Sequence, residues 1–461
     1  MNNLTVGSPT RVIVAFTIPL LIGNLFQQVY QFTDAAVVGR MIGVDALASV
    51  GATGSLMFLL LGFTFGASGG LAIPIARAFG AGDMALMRRY FANAILVSVG
   101  IAALVTAVGV VGARSLLRLM QTPSNLMADA EVFLVISFWG APIVMAYNLL
   151  AAVIRALGDS RTPLYFLMIS CVINVVLVVA FIGGLGWGVA GAALATVLAQ
   201  LISVILCLAL IARRMPHLHL TRADWRSAPG ELGEVLRPGL AMGFQMSVIA
   251  IGAVILQYAI NGLGSDAVAA FTAAARVDQL AVAPLASFGL ALTTFVAQNR
   301  GAGRWHRIRH GVWRISLLTW ILAVILGAFV ILAGEPLAQL FVGSGSPQVV
   351  EAAHGYLVVQ GLLYPILASV FVLRNTVQGL GETLIPTIGG FMELILRAAA
   401  GLLLVVPLGF FGVALAAPLA WIGALIPVAI CWFGWRRAMF GLADGADEPL
   451  RAGRLRVARA S

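Results

Sequence analysis

Lysine is absent from this 461-residue chain, and charged residues of both signs make up only 10% of it. A soluble domain carries about 25% charged residues, so this chain has too little charge to cover a water-facing surface. Histidine is scarce as well. His217, His219, His306, His310 and His354 lie apart without metal-binding spacing, which argues against a metal site and against an enzyme built on clustered histidines or acids. The three cysteines, Cys171, Cys207 and Cys431, fall inside apolar runs with neither a disulfide framework nor ligand spacing, and read as small hydrophobes packed in helices. The opening residues, MNNLTVGSPT, lack the basic start and short apolar core of a cleavable signal peptide, so the N-terminus is expected to stay in the cytoplasm. A net charge of +10 raises the question of nucleic acid. The arginines sit in short clusters between apolar runs rather than along one face, so no nucleic-acid partner is expected.

What is present in excess is apolar sequence. Hydrophobic residues reach 61% and the mean hydropathy is +1.01. A membrane-spanning helix needs roughly 20 mostly apolar residues. Twelve such runs occur, near 11–37, 46–74, 91–112, 130–156, 163–184 and 188–211, then near 237–261, 267–297, 312–333, 351–379, 384–408 and 410–434. The expectation is an all-α membrane protein of twelve spans. An even count places both termini on one side, and arginine placement says which. With the N-terminus inside, 22 of the 28 basic residues fall in cytoplasmic segments, against Arg40, Arg114 and Arg118 outside and Arg276, Arg374 and Arg397 within spans. Both ends are therefore expected in the cytoplasm, with the chain in a bacterial inner membrane.

The sequence also repeats itself. VVGRMIGVDALASV (37–50) lies over AINGLGSDAVAAFT (259–272), ARAFGAGDMALMRR (76–89) over AQNRGAGRWHRIRH (297–310), and IRALGDSRTP (154–163) over VQGLGETLIP (377–386). These matches divide the chain into an N-terminal lobe (1–211, helices one to six), a cytoplasmic linker (212–236), a C-terminal lobe (237–437, helices seven to twelve) and a disordered tail (438–461). Transporters built from parallel repeats bind cargo near the midplane between the halves and expose it to each side in turn. The Gly-Ala-Gly turns lack the lysine and hydroxyl of a nucleotide loop; with the arginines after them they read as cytoplasmic turns touching anionic headgroups.

At these residues the chain resembles the multidrug and toxic compound extrusion family, over roughly 8–437. The resemblance is carried by Pro19, FQQVYQFTDAAVVGRMIGVDALASVG and FGAGD in the first half. In the second half it is carried by INGLGSDAVAAFTAAARVDQL, FVAQNRGAGRWHRIRHG and VQGLGETLIP. It implies two pseudo-symmetric six-helix lobes around a cavity open to one side at a time, and export of organic, often cationic or amphipathic compounds. Inward flow of protons or sodium would drive that export; no bound cofactor is implied. Asp34 matches the family's coupling aspartate and Asn174 an asparagine of its fifth span. Val178 stands where one branch has a second acid, and the seventh span offers Gln245 where another has a glutamate. A flippase for lipid-linked precursors, from the same superfamily, is the alternative; an enzyme is not expected. Small organic substrates and membrane lipids are the expected partners, and a monomer the expected state.

Polar residues inside the spans carry the site expectations, because an ionisable group at the bilayer centre costs at least ~2.5–3.5 kcal/mol. Gln27, Gln31 and Asp34 share one face of the first span, with Tyr30 one turn before Asp34. Such a stripe belongs toward a cavity, and Pro19 gives the same helix a place to bend. Burial favours the neutral form of a carboxylate, so Asp34 is the candidate proton or sodium carrier; an interfacial pair with Arg40 is the bland alternative. Glu393 and Arg397 sit at i, i+4, either as a structural lock or as a second coupling site, with Arg397 aligned over Asn174. Arg276 and Asp278 pose the same choice nearer the outer interface. Gln200, Gln245, Gln257 and Tyr364 are candidates for the cavity wall, or equally for interhelical hydrogen bonds.

Overall fold

A computed structural model describes residues 3–120, 122–342 and 346–444, leaving out the side chains at 31–36, 44, 45, 47, 341, 342 and 438–444. Hydrocarbon offers the backbone no hydrogen-bond partner, so long apolar runs must satisfy their own amides as helices. They do so throughout. The first half holds α1 (Pro9–Met41), α2 (Val44–Ala81), α3 (Met84–Leu119), α4 (Met127–Trp139), α5 (Ala141–Ala156), α6 (Arg161–Val179) and α7 (Gly188–Arg214). The second holds α8 (Glu231–Asn261), α9 (Ser265–Gly301), α10 (Trp305–Val342), α11 (Pro347–Gly379), α12 (Leu384–Ala399), α13 (Val405–Leu408) and α14 (Phe410–Asp444). No strand occurs among the described residues. Eleven helices are long and apolar enough to cross a membrane, or twelve when α4 and α5 count as one span bent by 47°.

That bend is where the expected single run over 130–156 departs from a straight helix. Gly140 joins the two pieces and Pro142 follows at the start of α5, a pairing that interrupts the hydrogen-bond ladder. A β-carbon at Gly140 would collide with Val197 on α7. The repeat shows in a second irregularity: π-turns at Ala180–Gly184 and Ala400–Leu404 close the fifth and eleventh spans. The tail expected from residue 438 is helical as far as Asp444, and the rest of it lies outside the described residues.

Packing is organised around α2 in the first half and around α9 and α11 in the second. One apolar cluster, with Leu71, Met87, Phe138 and Ile154, lies almost wholly in first-half helices; another, with Tyr364, Val330 and Trp421, lies in second-half helices. A third joins Leu4, Ile13 and Phe16 to Phe295, Ile308 and Val428, so the start of α1 rests on the second half.

The linker is tied down by charge. The Thr221 amide and hydroxyl each donate to Asp224 Oδ2 at 2.7 Å, and Arg88 Nε donates to Asp224 Oδ1 at 3.4 Å. Burial works against the Asp224 charge, but these donors outweigh it and hold the carboxyl below its ordinary pKa. Arg89 pairs with Glu231 at 2.9 Å.

Candidate functional site

A cavity of about 550 Å³ lies between α2 and the second-half helices α8, α9, α11, α12 and α14. Its wall is largely apolar and aromatic, with Phe58, Phe271, Tyr356, Phe371 and Trp421. Four charged residues interrupt it: Asp278, Arg374, Glu393 and Arg397.

Those charges are organised. Glu393 Oε2 accepts from Arg374 Nη2 at 2.7 Å and Oε1 from Arg397 Nη2 at 2.9 Å, so one carboxylate on α12 bridges an arginine of α11 and one a turn further along α12. Glu393 and Arg374 are 6% and 7% exposed; ions so far from water persist only when paired and hydrogen-bonded. Glycines make the room. A β-carbon at Gly252 on α8 would touch Arg397 Cδ at 3.4 Å, and one at Gly390 would touch Gln245 Cγ at 3.3 Å. The Gln245 amide lies 2.7 Å from the Gln378 side chain on one side and 3.2 Å from Arg374 Nη1 and Nε on the other; its oxygen accepts from Gln378 Nε2 in one orientation and from Arg374 in the turned one. Asp278, on α9, instead accepts from the Tyr364 hydroxyl of α11 at 2.8 Å. Glu393 is thus clamped by two cations, while Asp278 is held by one neutral phenol.

At the other end of these helices the two halves approach each other closely. The C-terminal ends of α2 and α9 cross so closely that a β-carbon at Gly80 would run into the Gln298 carbonyl, and one at Gly301 into the Arg77 carbonyl. Arg77 pairs with Glu234 of α8, which also accepts from the Tyr90 hydroxyl at 2.6 Å. Gln298 Nε2 donates to the Ala156 carbonyl at 2.7 Å and its oxygen accepts from the Leu4 amide at 3.0 Å. Arg307 and Arg304 grip the carbonyls of Gly7 and Thr5. Phe58 and Gly80 are 22 residues apart on α2, so the cavity wall and the crossing are separated by ~33 Å of helix.

The MatE family model matches residues 19–180 and 241–403, one stretch in each repeat. The chain belongs to the MatE family. The probable multidrug resistance proteins YpnP and YoeA of Bacillus subtilis are each 28% identical to it over 384 residues. Those matches cover 83% of this chain and 85% of YpnP, and 81% and 82% for YoeA. A MOP superfamily transporter from Pyrococcus furiosus superposes with a TM-score of 0.87 at 23% identity, covering 96% of this chain and 98% of that one, which shows a shared fold. This MatE chain is a multi-spanning membrane transporter.

The MatE fold brings some of the sequence candidates together and keeps others apart. Gln257, Glu393 and Arg397 line the cavity, Tyr364 stands behind it through Asp278, and Gln245 lies beside Arg374. Gln257 Nε2 also donates to Asn261 Oδ1 at 2.8 Å. Asn174 is elsewhere, buried between α6 and α7 with its Nδ2 3.2 Å from Thr196 Oγ1, and does not line this cavity. Gln200, on α7, is likewise outside its wall, with a buried oxygen that has no hydrogen-bond partner among the described residues. Gln27 is exposed and Tyr30 half-buried on α1, below the bend position Pro19. The side chains of Asp34 and Gln31 lie outside the described residues.

Two residues of the MatE site were visible in the sequence without their partners. Asp278 lines the cavity wall; its spacing from Tyr364, 86 positions, gave no local signal of that pairing. Arg374 was visible as a charge inside an apolar run. Its partner was not, although α11 and α12 flank a short turn that sets residues on either side of it at similar depth.

Proposed function

We propose that this transporter is an ion-coupled antiporter that exports organic cations and amphiphiles by alternating access, with both termini in the cytoplasm. The observation that supports it best is the pairing of an aromatic cavity holding an acid not clamped by arginine, Asp278, with a tight Gly80–Gly301 crossing at the opposite end. Aromatic faces and a carboxylate in an apolar wall attract a cation. Asp34 is the proposed coupling carboxylate, taking up a proton or sodium ion on one side and releasing it on the other. Asn174 is proposed to assist it. Glu393 and Arg397, held with Arg374, form a charge lock that shapes the second-half cavity.

A flippase for lipid-linked pyrophosphates would need free cations in the cavity. Glu393 occupies both Arg374 and Arg397, which favours export of cations over that alternative.

Expression in a pump-deficient bacterium should lower ethidium accumulation, and Asp34→Asn should abolish the effect. Proteoliposomes with a pH gradient or a sodium gradient imposed separately then identify the driving ion. Unchanged retention across a broad dye panel, with the protein present in the membrane, would overturn the proposal.

A further inference from the structure

A second cavity lies away from this site, lined by residues of the first half and the linker alone. It is a groove of about 730 Å³ walled by α3 and α7, floored by α5, and roofed by the turn at Pro216–Leu218 with His219 and Leu220. Its size falls within the ~300–1,000 Å³ of small-molecule pockets. Phe91, Ile95, Leu149, Leu150, Leu208 and Ile211 make it apolar. The groove has a cause in the sequence. At Gly140 the fourth span turns by 47°, and α5 packs back toward α2, leaving a slot between α3 and α7.

Its rim faces hydrocarbon: Val99 is 62% exposed and Leu208 51%. Unneutralised charge follows directly on Ala212, the last α7 residue in its wall. Arg213 and Arg214 end α7, both exposed, and neither has an ion pair among the described residues. The neighbouring arginines differ, since Arg88 and Arg89 are taken up by Asp224 and Glu231. His219, its ring nitrogen 3.1 Å from the Ile211 carbonyl, adds a polar group to the wall of the apolar slot.

We propose that this groove binds one anionic phospholipid, with an acyl chain in the slot and its phosphate among Arg213, Arg214 and His219. An apolar slot of chain-like lining is exposed on the outside of the spans, and the two cations that follow its α7 wall, without an ion pair among the described residues, match a negative headgroup, as basic pockets between spans do. Placing the lipid in the inner leaflet rests on the orientation proposed above; the binding itself does not. The bound chain would fill the space vacated by the bend and hold α3 and α7 at their spacing.

Native mass spectrometry of the detergent-purified chain tests this with palmitoyl-oleoyl phosphatidylglycerol and phosphatidylcholine, which share acyl chains and differ in headgroup charge. Wild type should retain one phosphatidylglycerol, roughly tenfold tighter than phosphatidylcholine. Ala146→Trp and Ala103→Trp place a ring in the slot at positions that are not fully buried, and each should remove that lipid. Arg213→Gln with Arg214→Gln should erase the headgroup preference while leaving a weaker chain-bound lipid. Monodisperse elution of both tryptophan variants checks that they fold. Equal retention of the two lipids by wild type, or full phosphatidylglycerol binding by both folded tryptophan variants, would overturn the proposal. Neither readout depends on dye transport, so a failed export assay leaves it standing or falling on its own.

Discussion

Gly80 and Gly301 hold equivalent places in the two repeats, and each lies against the backbone of the opposite half, at Gln298 and at Arg77. Because 298 and 77 are themselves equivalent positions, one crossing contact is made twice. Close approach of two helices needs a residue without a β-carbon on each side, and the repeated Gly-Ala-Gly supplies it.

Gly80→Ala or Gly301→Ala should push α2 and α9 apart. Overpacking of about 1–3 kcal/mol corresponds to a shift of about 5–150-fold in a two-state equilibrium. With the three native cysteines replaced by alanine, a cysteine at Ala297, fully buried beside the crossing, reports the change. Its maleimide labelling should be slow in the parent and at least several-fold faster in either alanine variant; equal rates would show that the crossing does not set the closure.

Glu393→Gln should leave Arg374 buried without its carboxylate partner and Arg397 without its ion pair. Removing one partner of such a group costs about 3–5 kcal/mol, whereas replacing all members by apolar residues is often nearly neutral. Thermal unfolding in detergent should therefore show a larger loss for Glu393→Gln than for the triple variant Arg374→Met, Glu393→Leu, Arg397→Met. The reverse order would make the charges a functional rather than a structural group.

Asp278→Asn keeps the shape of the side chain and its bond to Tyr364 but removes the negative charge. Affinity for ethidium should fall about tenfold or more, with a smaller loss for a neutral amphiphile, since a charged hydrogen-bonding partner contributes ~1.5–3 kcal/mol. Tyr364→Phe should lower it less. Equal loss for charged and neutral cargo would exclude Asp278 from charge recognition.

The N-terminal segment binds across the halves through Gln298, Asn299, Arg304 and Arg307. Deleting residues 2–7 removes the Leu4 amide that Gln298 accepts from and the carbonyls that Asn299, Arg304 and Arg307 hold, and buried partners left unmade cost ~1–3 kcal/mol each. The deletion should raise labelling at the Ala297 cysteine, as the glycine variants do. A deletion that melts earlier but labels no faster would assign the segment to stability alone.

Asp224 predicts an acid dependence. Its folded-state pKa lies below the ordinary value, so its contribution is complete above the unfolded value of about 3.9 and is lost as pH falls through the depressed folded value. Asp224→Asn should lower stability at neutral pH and flatten the melting-temperature profile below about pH 4. A wild-type slope retained in the variant would place the titrating group elsewhere.

Much of this protein was legible in one dimension. Hydropathy alone reveals the membrane and twelve apolar runs, because a bilayer tests each segment by its own transfer energy; that the fourth run is a bent pair of helices was not visible in it. The repeated motifs announced equivalent turns, and the model of the MatE family matches one stretch in each repeat. Glu393 and Arg397, one helical turn apart, were readable as a pair for the same local reason.

What tertiary structure decided is which distant groups meet. Arg374 joins Glu393 because packing turns both inward at one depth, and Asp278 meets Tyr364 across α9 and α11. Gly140 reads as one more glycine in an apolar run, yet the bend there opens a groove between helices that are far apart in the chain. Such pairings depend on how helices rotate and cross, which shape and small-residue contacts set, and no period along a single helix encodes that.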